Sequence, residues 1–222
     1  MKNLAEFVTP PPKETLQQGV HQQLCRLILQ GKIEPGQSVT VATLSEALNV
    51  SPMPVREAIS RLMASGALTT VSGRSIGVPQ LSIDDFEDLK KVRIETERVA
   101  LRWAIEHRDE DFLNKLDDLY AKLVKAENRA DNPGFIDLNY QFHFAIYEQA
   151  NSPIMLRVIQ NLWLRISPYF HLLDAKGHLQ ISNKTHSDLV KAIKSGNVEK
   201  AEDALVTDIT KAYEKLITLI GE

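Results

Sequence analysis

Residues 51–68 read SPMPVREAISRLMASGAL, and VATLSEALNV precedes them at 41–50. Ser51 is a helix-capping residue type, and proline is tolerated in a first helical turn, where the backbone N–H has no helical partner. Val55, Ile59, Leu62 and Met63 recur at helical spacing and predict a buried face that Gly66 ends. Just upstream, Thr40 or Thr43 caps a short helix containing Leu44, Ala47 and Leu48. Glu46 stands three residues after Thr43 in capping-box spacing, and Asn49 suits a left-handed C-cap. Two helices joined by so short a turn read as a helix-turn-helix, whose second helix enters the DNA major groove N-terminus first.

The flanks complete the unit. From Glu14, apolar residues at Leu16, Val20, Leu24, Leu27 and Ile28 predict an amphipathic helix that stops at Gly31, and Pro35–Gly36 marks a turn. After the helix-turn-helix the period shortens: ALTTV and SIGVPQL flank SGR as a hairpin. Residues 14–80 therefore read as a winged helix-turn-helix, behind a leader at 1–13 stiffened by Pro10, Pro11 and Pro12.

Within that unit, Ser51, Met53 and Arg56 occupy the leading edge of the second helix. Ser51 and the free N–H groups can meet a phosphate, and Arg56 can reach a guanine edge with two hydrogen bonds. Thr43 at the head of the preceding helix and Arg74 at the hairpin tip complete the DNA-facing set. Alternatively, Arg56 pairs with Glu57 or Glu46 on a solvated surface. LSEALNVSPMPVREAISRLMASGALT resembles the winged-helix signature of the GntR family of bacterial transcription regulators, with PVREA and the following RL and GAL as its specific part. Relatives in that family commonly carry arginine and threonine where this chain has Pro52 and Met53, so the resemblance implies a different DNA site.

Residues 83–220 show no strand pattern. Breaks at His107–Asp109, Asp131–Gly134, Asn151–Pro153, Gly177 and Ser195–Asn197 predict helices near 83–107, 109–128, 133–150, 153–172, 180–195 and 198–219, an all-α bundle. Ser82 caps the first, with Asp84 and Asp85 in its first turn. The fold class is mainly α, a winged helix-turn-helix followed by a helical bundle.

Two features of the bundle suggest a ligand site. Asn139 and His143 share a helix face, and His186 and Asp208 are equidistant from the Gly196–Asn197 turn, so in a helical hairpin they stand at one height. Arg93 interrupts the apolar row Leu89, Val92, Thr96, Ala100, and an i,i+4 pair with Glu97 would explain it. NYQFHFAIYEQANSPIML and THSDLVKAIKSGNVEKAEDAL resemble the effector-binding domain of the FCD (FadR-like) subgroup of GntR regulators, over residues 83–220. That resemblance implies a divalent metal (Zn, Ni or Mn) beside a small carboxylate effector. His143 and His186 match two ligand histidines, while Asn139 and Asp208 stand where the subgroup has Asp and a third His. It also implies that Arg93 clamps the effector carboxylate. His171 and His178 are alternative ligands in a different packing.

Composition narrows the class. The chain of 222 residues is 43% hydrophobic, carries one cysteine (Cys25) and contains no run long enough to span a membrane. With no signal-peptide core at the N-terminus, a cytoplasmic protein is expected. Net charge is −3, divided as +2 over residues 1–82 and −5 beyond, in keeping with a polyanion-binding head on an acidic body. The expected function is a ligand-responsive homodimer that binds a pseudo-palindromic DNA operator, a repressor released by a small organic acid. The alternative is a metal-dependent hydrolase with an accessory head, against which stands the lack of H-E-x-x-H.

Overall fold

The structure, a computed structural model, describes residues 16–73, 75–179 and 183–221. The leader at 1–13, the residues around Glu14, Arg74 at the hairpin tip and the expected helix start at 180 lie outside them. Among the described residues the order is α1 (Leu16–Leu29), α2 (Val41–Leu48), α3 (Pro52–Ala64), β1 (Thr69–Ser72), β2 (Ser75–Gly77), α4 (Ile83–Glu106), α5 (Glu110–Arg129), α6 (Asn132–Gln149), α7 (Pro153–Ala175), α8 (Lys184–Ser195) and α9 (Val198–Ile220). It is a winged helix-turn-helix followed by an all-helical bundle.

The head packs α3 against both α1 and α2, burying Val20, Leu24, Ile28, Leu44, Val55 and Leu62. Asn49 caps α2 in the left-handed region at φ 53°. Thr40 is the N-cap and accepts from the Thr43 N–H, so the expected Thr43–Glu46 capping box is replaced by a Thr40–Thr43 pair three positions earlier. Met63 is 38% exposed rather than buried, because Pro54 and Ala58 turn inward with Val55, Ile59 and Leu62 and rotate the apolar stripe away from it. The antiparallel wing is pinned to the head where Val39 and Ile76 exchange backbone bonds of 2.8 and 2.9 Å. Position 77 has to be glycine, since a Cβ would sit 2.1 Å from the Gln37 carbonyl oxygen.

In the bundle, Ser82 and Asp85 form a reciprocal capping box at the start of α4. Two termini and one side chain differ from the pattern reading. α7 continues three residues further, to Ala175, α8 begins at Lys184 behind Asn183, and Val92 is 42% exposed instead of facing the core. Leu101, Leu116, Leu123, Phe142, Ile146 and Tyr213 lie in a continuous apolar centre.

α7 belongs to both units. Its Leu164 is buried in the head's core, and the Tyr169 hydroxyl accepts from the Leu81 N–H at 2.7 Å while donating to the Pro79 carbonyl at 2.9 Å. His171 Nε2 donates to the Leu29 carbonyl at the end of α1, where Gly31 turns at φ 61° with no room for a Cβ against His171.

Candidate metal centre and DNA-facing helix

Helix α6 presents His143, α8 presents His186 and α9 presents Asp208. The Gly196 turn, in the left-handed region at φ 70°, folds α8 back along α9 and brings the last two to one height. His143 Nε2 lies 3.3 Å from Asp208 Oδ2, and His186 Nε2 lies 3.5 Å from Asp208 Oδ1. One donor atom from each of the three falls within 4.8 Å of the others.

The outer partners decide which nitrogen carries each proton. Asn183 Oδ1 can only accept, so His186 Nδ1 donates to it at 3.0 Å, and Asn183 is itself held by Glu127 at 2.7 Å. Tyr147 donates its hydroxyl proton to Glu97, so its oxygen accepts from His143 Nδ1 at 3.3 Å. Assigned from these partners, both Nε2 atoms point a lone pair at the Asp208 carboxylate. His186 Nε2 is buried and has no hydrogen-bond partner. Two lone pairs facing a carboxylate repel unless a cation lies among them, and imidazole plus carboxylate is a donor set for divalent transition metals. The residues present therefore fit a metal ion.

Electrostatics agree. Burial pushes the His186 pKa down to about 4, leaving a neutral imidazole at pH 7. Burial alone would raise the Asp208 carboxyl, but the Thr185 hydroxyl, which donates to Oδ1 at 2.6 Å, favours its ionised form.

The three residues line a cavity of about 360 Å³ together with Asn139, Arg93 and Trp163. Neither His171 nor His178 lines it. Arg93 forms the i,i+4 pair with Glu97 that the sequence offered as one alternative. Its Nε donates to Glu97 Oε1 at 2.7 Å and its Nη2 to Oε2 at 3.3 Å, yet it also borders the cavity. Arg93 is 2% exposed and Glu97 0%, and the guanidinium carbon lies 4.7 Å from the centre of the Trp163 ring. Burial opposes the Arg93 charge, but the Glu97 carboxylate holds its pKa above the ordinary value.

Glu97 is a hub that the sequence reading met only as a partner of Arg93. It also accepts from Tyr147 and from Trp163 Nε1 at 3.1 Å, linking the metal-type cluster to α7. Lys211 and Lys215 border the same cavity. Their spacing from Asp208, three and seven residues, puts all three on one face of α9, a signal the sequence already held.

On the head, Ser51 caps α3 by position, but its hydroxyl makes no capping bond. Met53, at 65%, and Arg56 are exposed on α3, with Ser60 and Met63 continuing the stripe; Thr43 is exposed on α2. Among the described residues Arg56 forms no ion pair with Glu46 or Glu57.

The sequence matches two known families. The FCD domain matches residues 88–211, and the bacterial regulatory proteins of the gntR family match residues 16–78. HTH-type transcriptional regulator McbR of Escherichia coli (strain K12) is 33% identical over 143 residues, 64% of this chain and 65% of that one. The HTH-type transcriptional regulator YdhC of Bacillus subtilis (strain 168) is 24% identical over 208 residues, 91% of each. Among solved structures, E. coli McbR/YncC has a TM-score of 0.84 at 27% identity, covering 93% of this chain and 99% of that one. A putative GntR regulator from Rhodococcus sp. RHA1 shares the fold, with a TM-score of 0.75 at 20% identity over 91% and 97% of the two chains.

Proposed function

The chain belongs to the gntR family of bacterial regulatory proteins and carries an FCD domain, a transcription regulator and not an enzyme, and on that premise we propose that its DNA binding answers to a small organic acid bound beside a divalent metal. His143, His186 and Asp208 hold the metal, with Asn139 supplying an amide oxygen from the same cavity wall. An ion held there, one of Zn, Ni or Mn, would supply Lewis acidity toward a carboxylate oxygen. The Arg93 Nη1, which Glu97 does not engage, takes the second oxygen. Lys211 and Lys215 add positive charge at the rim and favour an anion.

Residues 14–80 form the reading unit and 83–220 the sensing unit in this scheme, with 1–13 as a leader. Thr43, Ser51, Met53 and Arg56 face the major groove. Two copies bind a pseudo-palindromic operator as a repressor, and the acid releases it. Every 1.4 kcal/mol of difference in acid affinity between the DNA-bound and free forms shifts DNA affinity tenfold.

One observation carries the reading: a metal-type donor cluster and a buried arginine open into one cavity. The test is a DNA mobility shift with a genomic operator fragment, titrated with small carboxylates before and after chelation. Release by one acid, lost on chelation and restored by one of the three metals, supports the reading. A protein that binds no stoichiometric metal and ignores every acid refutes it.

A further inference from the structure

A second cavity, about 580 Å³, lies where the head meets the body, between α1 on one side and α6 and α7 on the other. Its apolar surface comes from Leu29, Ile136, Leu164 and Phe170, with the Tyr140 and Trp163 rings beside them. Gln30, Gln141, Gln160 and Asn161 supply amide donors and acceptors around it. The Ser167 hydroxyl, on a residue 3% exposed, borders the cavity and has no hydrogen-bond partner. A buried hydroxyl left unpaired is a cost of order 1–3 kcal/mol that a ligand group can remove.

Its charge differs from that of the metal-type cavity. The lining holds one cation, Arg26, and one carboxylate, Asp137. His21 is kept from protonating by burial and by Arg61, and burial pushes the Cys25 thiol up to about 11, so both are neutral at pH 7. A carboxylate here would meet no surplus positive charge, whereas an uncharged ring with one or two hydrogen-bonding groups would meet apolar walls and amides.

We propose that this joint is a second small-molecule site, for an uncharged aromatic molecule bearing a hydroxyl or amide group. Head and body both line the cavity, so its occupant bears on how the reading unit sits against the sensing unit. Ile136, Trp163 and Phe170 also line the metal-type cavity, which places one wall between the two ligands. The site stands independently of the acid-and-metal reading, because its probes are neutral and need no metal.

Cys25 is the chain's single cysteine and lies in the cavity, so its modification rate reports occupancy. The full chain is treated with a thiol-reactive reagent in the presence of 4-hydroxybenzamide, indole or, as the anionic control, benzoate. At a probe concentration ten times its dissociation constant the rate falls about tenfold. The expected result is saturable protection by a neutral probe, none by benzoate, and no dependence on chelation. Gln160 is exposed, so Gln160→Trp blocks the cavity mouth without disturbing the core, and calorimetry with that variant should lose the neutral probe. Gln141→Trp, also at an exposed position, serves as the second variant. The proposal is overturned if no neutral probe protects Cys25, if benzoate protects equally, or if both tryptophan variants bind the probe unchanged.

Discussion

His186 and Asp208 stand equally far from the Gly196–Asn197 turn, and their side chains meet at 3.5 Å with the imidazole lone pair toward the carboxylate. The orientation depends on Asn183, which fixes the His186 proton on Nδ1. Asn183→Ala should therefore weaken metal binding about 10–100-fold while leaving all candidate ligands in place. Competition against a fluorescent chelator measures it. Unchanged affinity would remove Asn183 from the site, and full metal occupancy in His143→Ala or His186→Ala would remove the site itself.

Glu97 accepts from Arg93, Tyr147 and Trp163 with no exposure to solvent. Removing it leaves a buried guanidinium without its counter-ion, so Glu97→Ala should cost about 3–5 kcal/mol in denaturant unfolding. Replacing both members, Arg93→Met with Glu97→Leu, should cost much less, because no uncompensated charge is left behind. Equal losses in the single and double variants would contradict the ion-pair account.

Arg56 is exposed on α3 without an ion-pair partner among the described residues. Arg56→Ala should cost about 1–3 kcal/mol on the specific operator and relax selectivity at one base pair. A loss of equal size on random duplex would assign Arg56 to phosphate contact instead of base reading.

Cys25 provides a pH test. Burial raises its pKa to about 11 from an ordinary 9, so the reactive thiolate is scarcer at any pH below that value. At pH 8 its modification should run about a hundredfold slower than for a free thiol, and climb tenfold per pH unit through pH 9.5. A rate that levels off near pH 9 would show an ordinary, solvated thiol.

The Tyr169 hydroxyl ties Leu81 and Pro79 of the connecting segment to α7. Tyr169→Phe leaves the Leu81 N–H without this acceptor and should cost about 1–3 kcal/mol. Hydrogen exchange at Leu81 should accelerate, with the α8–α9 amides unaffected. Uniform acceleration across the chain would indicate general destabilisation instead.

Much of the fold was legible because the rules that set it are local. Asn49, Gly66, Ser82 and Gly196 end or begin helices through the conformation of their own backbones or of bonds three residues away. Even the His186–Asp208 approach follows from counting residues to a turn. Local rules also misjudged details: at 40–46, two threonines compete for one cap, and the choice of Thr40 placed the cap three residues earlier without a box. The outward rotation of Met63 followed from buried Pro54, a residue that reads as punctuation in the sequence.

By itself, then, the sequence determined the helices, the wing, the hairpin register of α8 on α9 and the apolar stripes, all products of backbone preference and periodicity within a few residues. Only the tertiary structure decided that Glu97 gathers Arg93, Tyr147 and Trp163, that Asn183 orients His186, and that α1, α6 and α7 leave a neutral cavity between head and body. Tyr147 and Trp163 lie 50 and 66 residues from Glu97, and contacts over such separations carry no periodic signature. They exist because close packing of the helices brings those faces together, and a buried polar group then takes whichever partner the packing supplies.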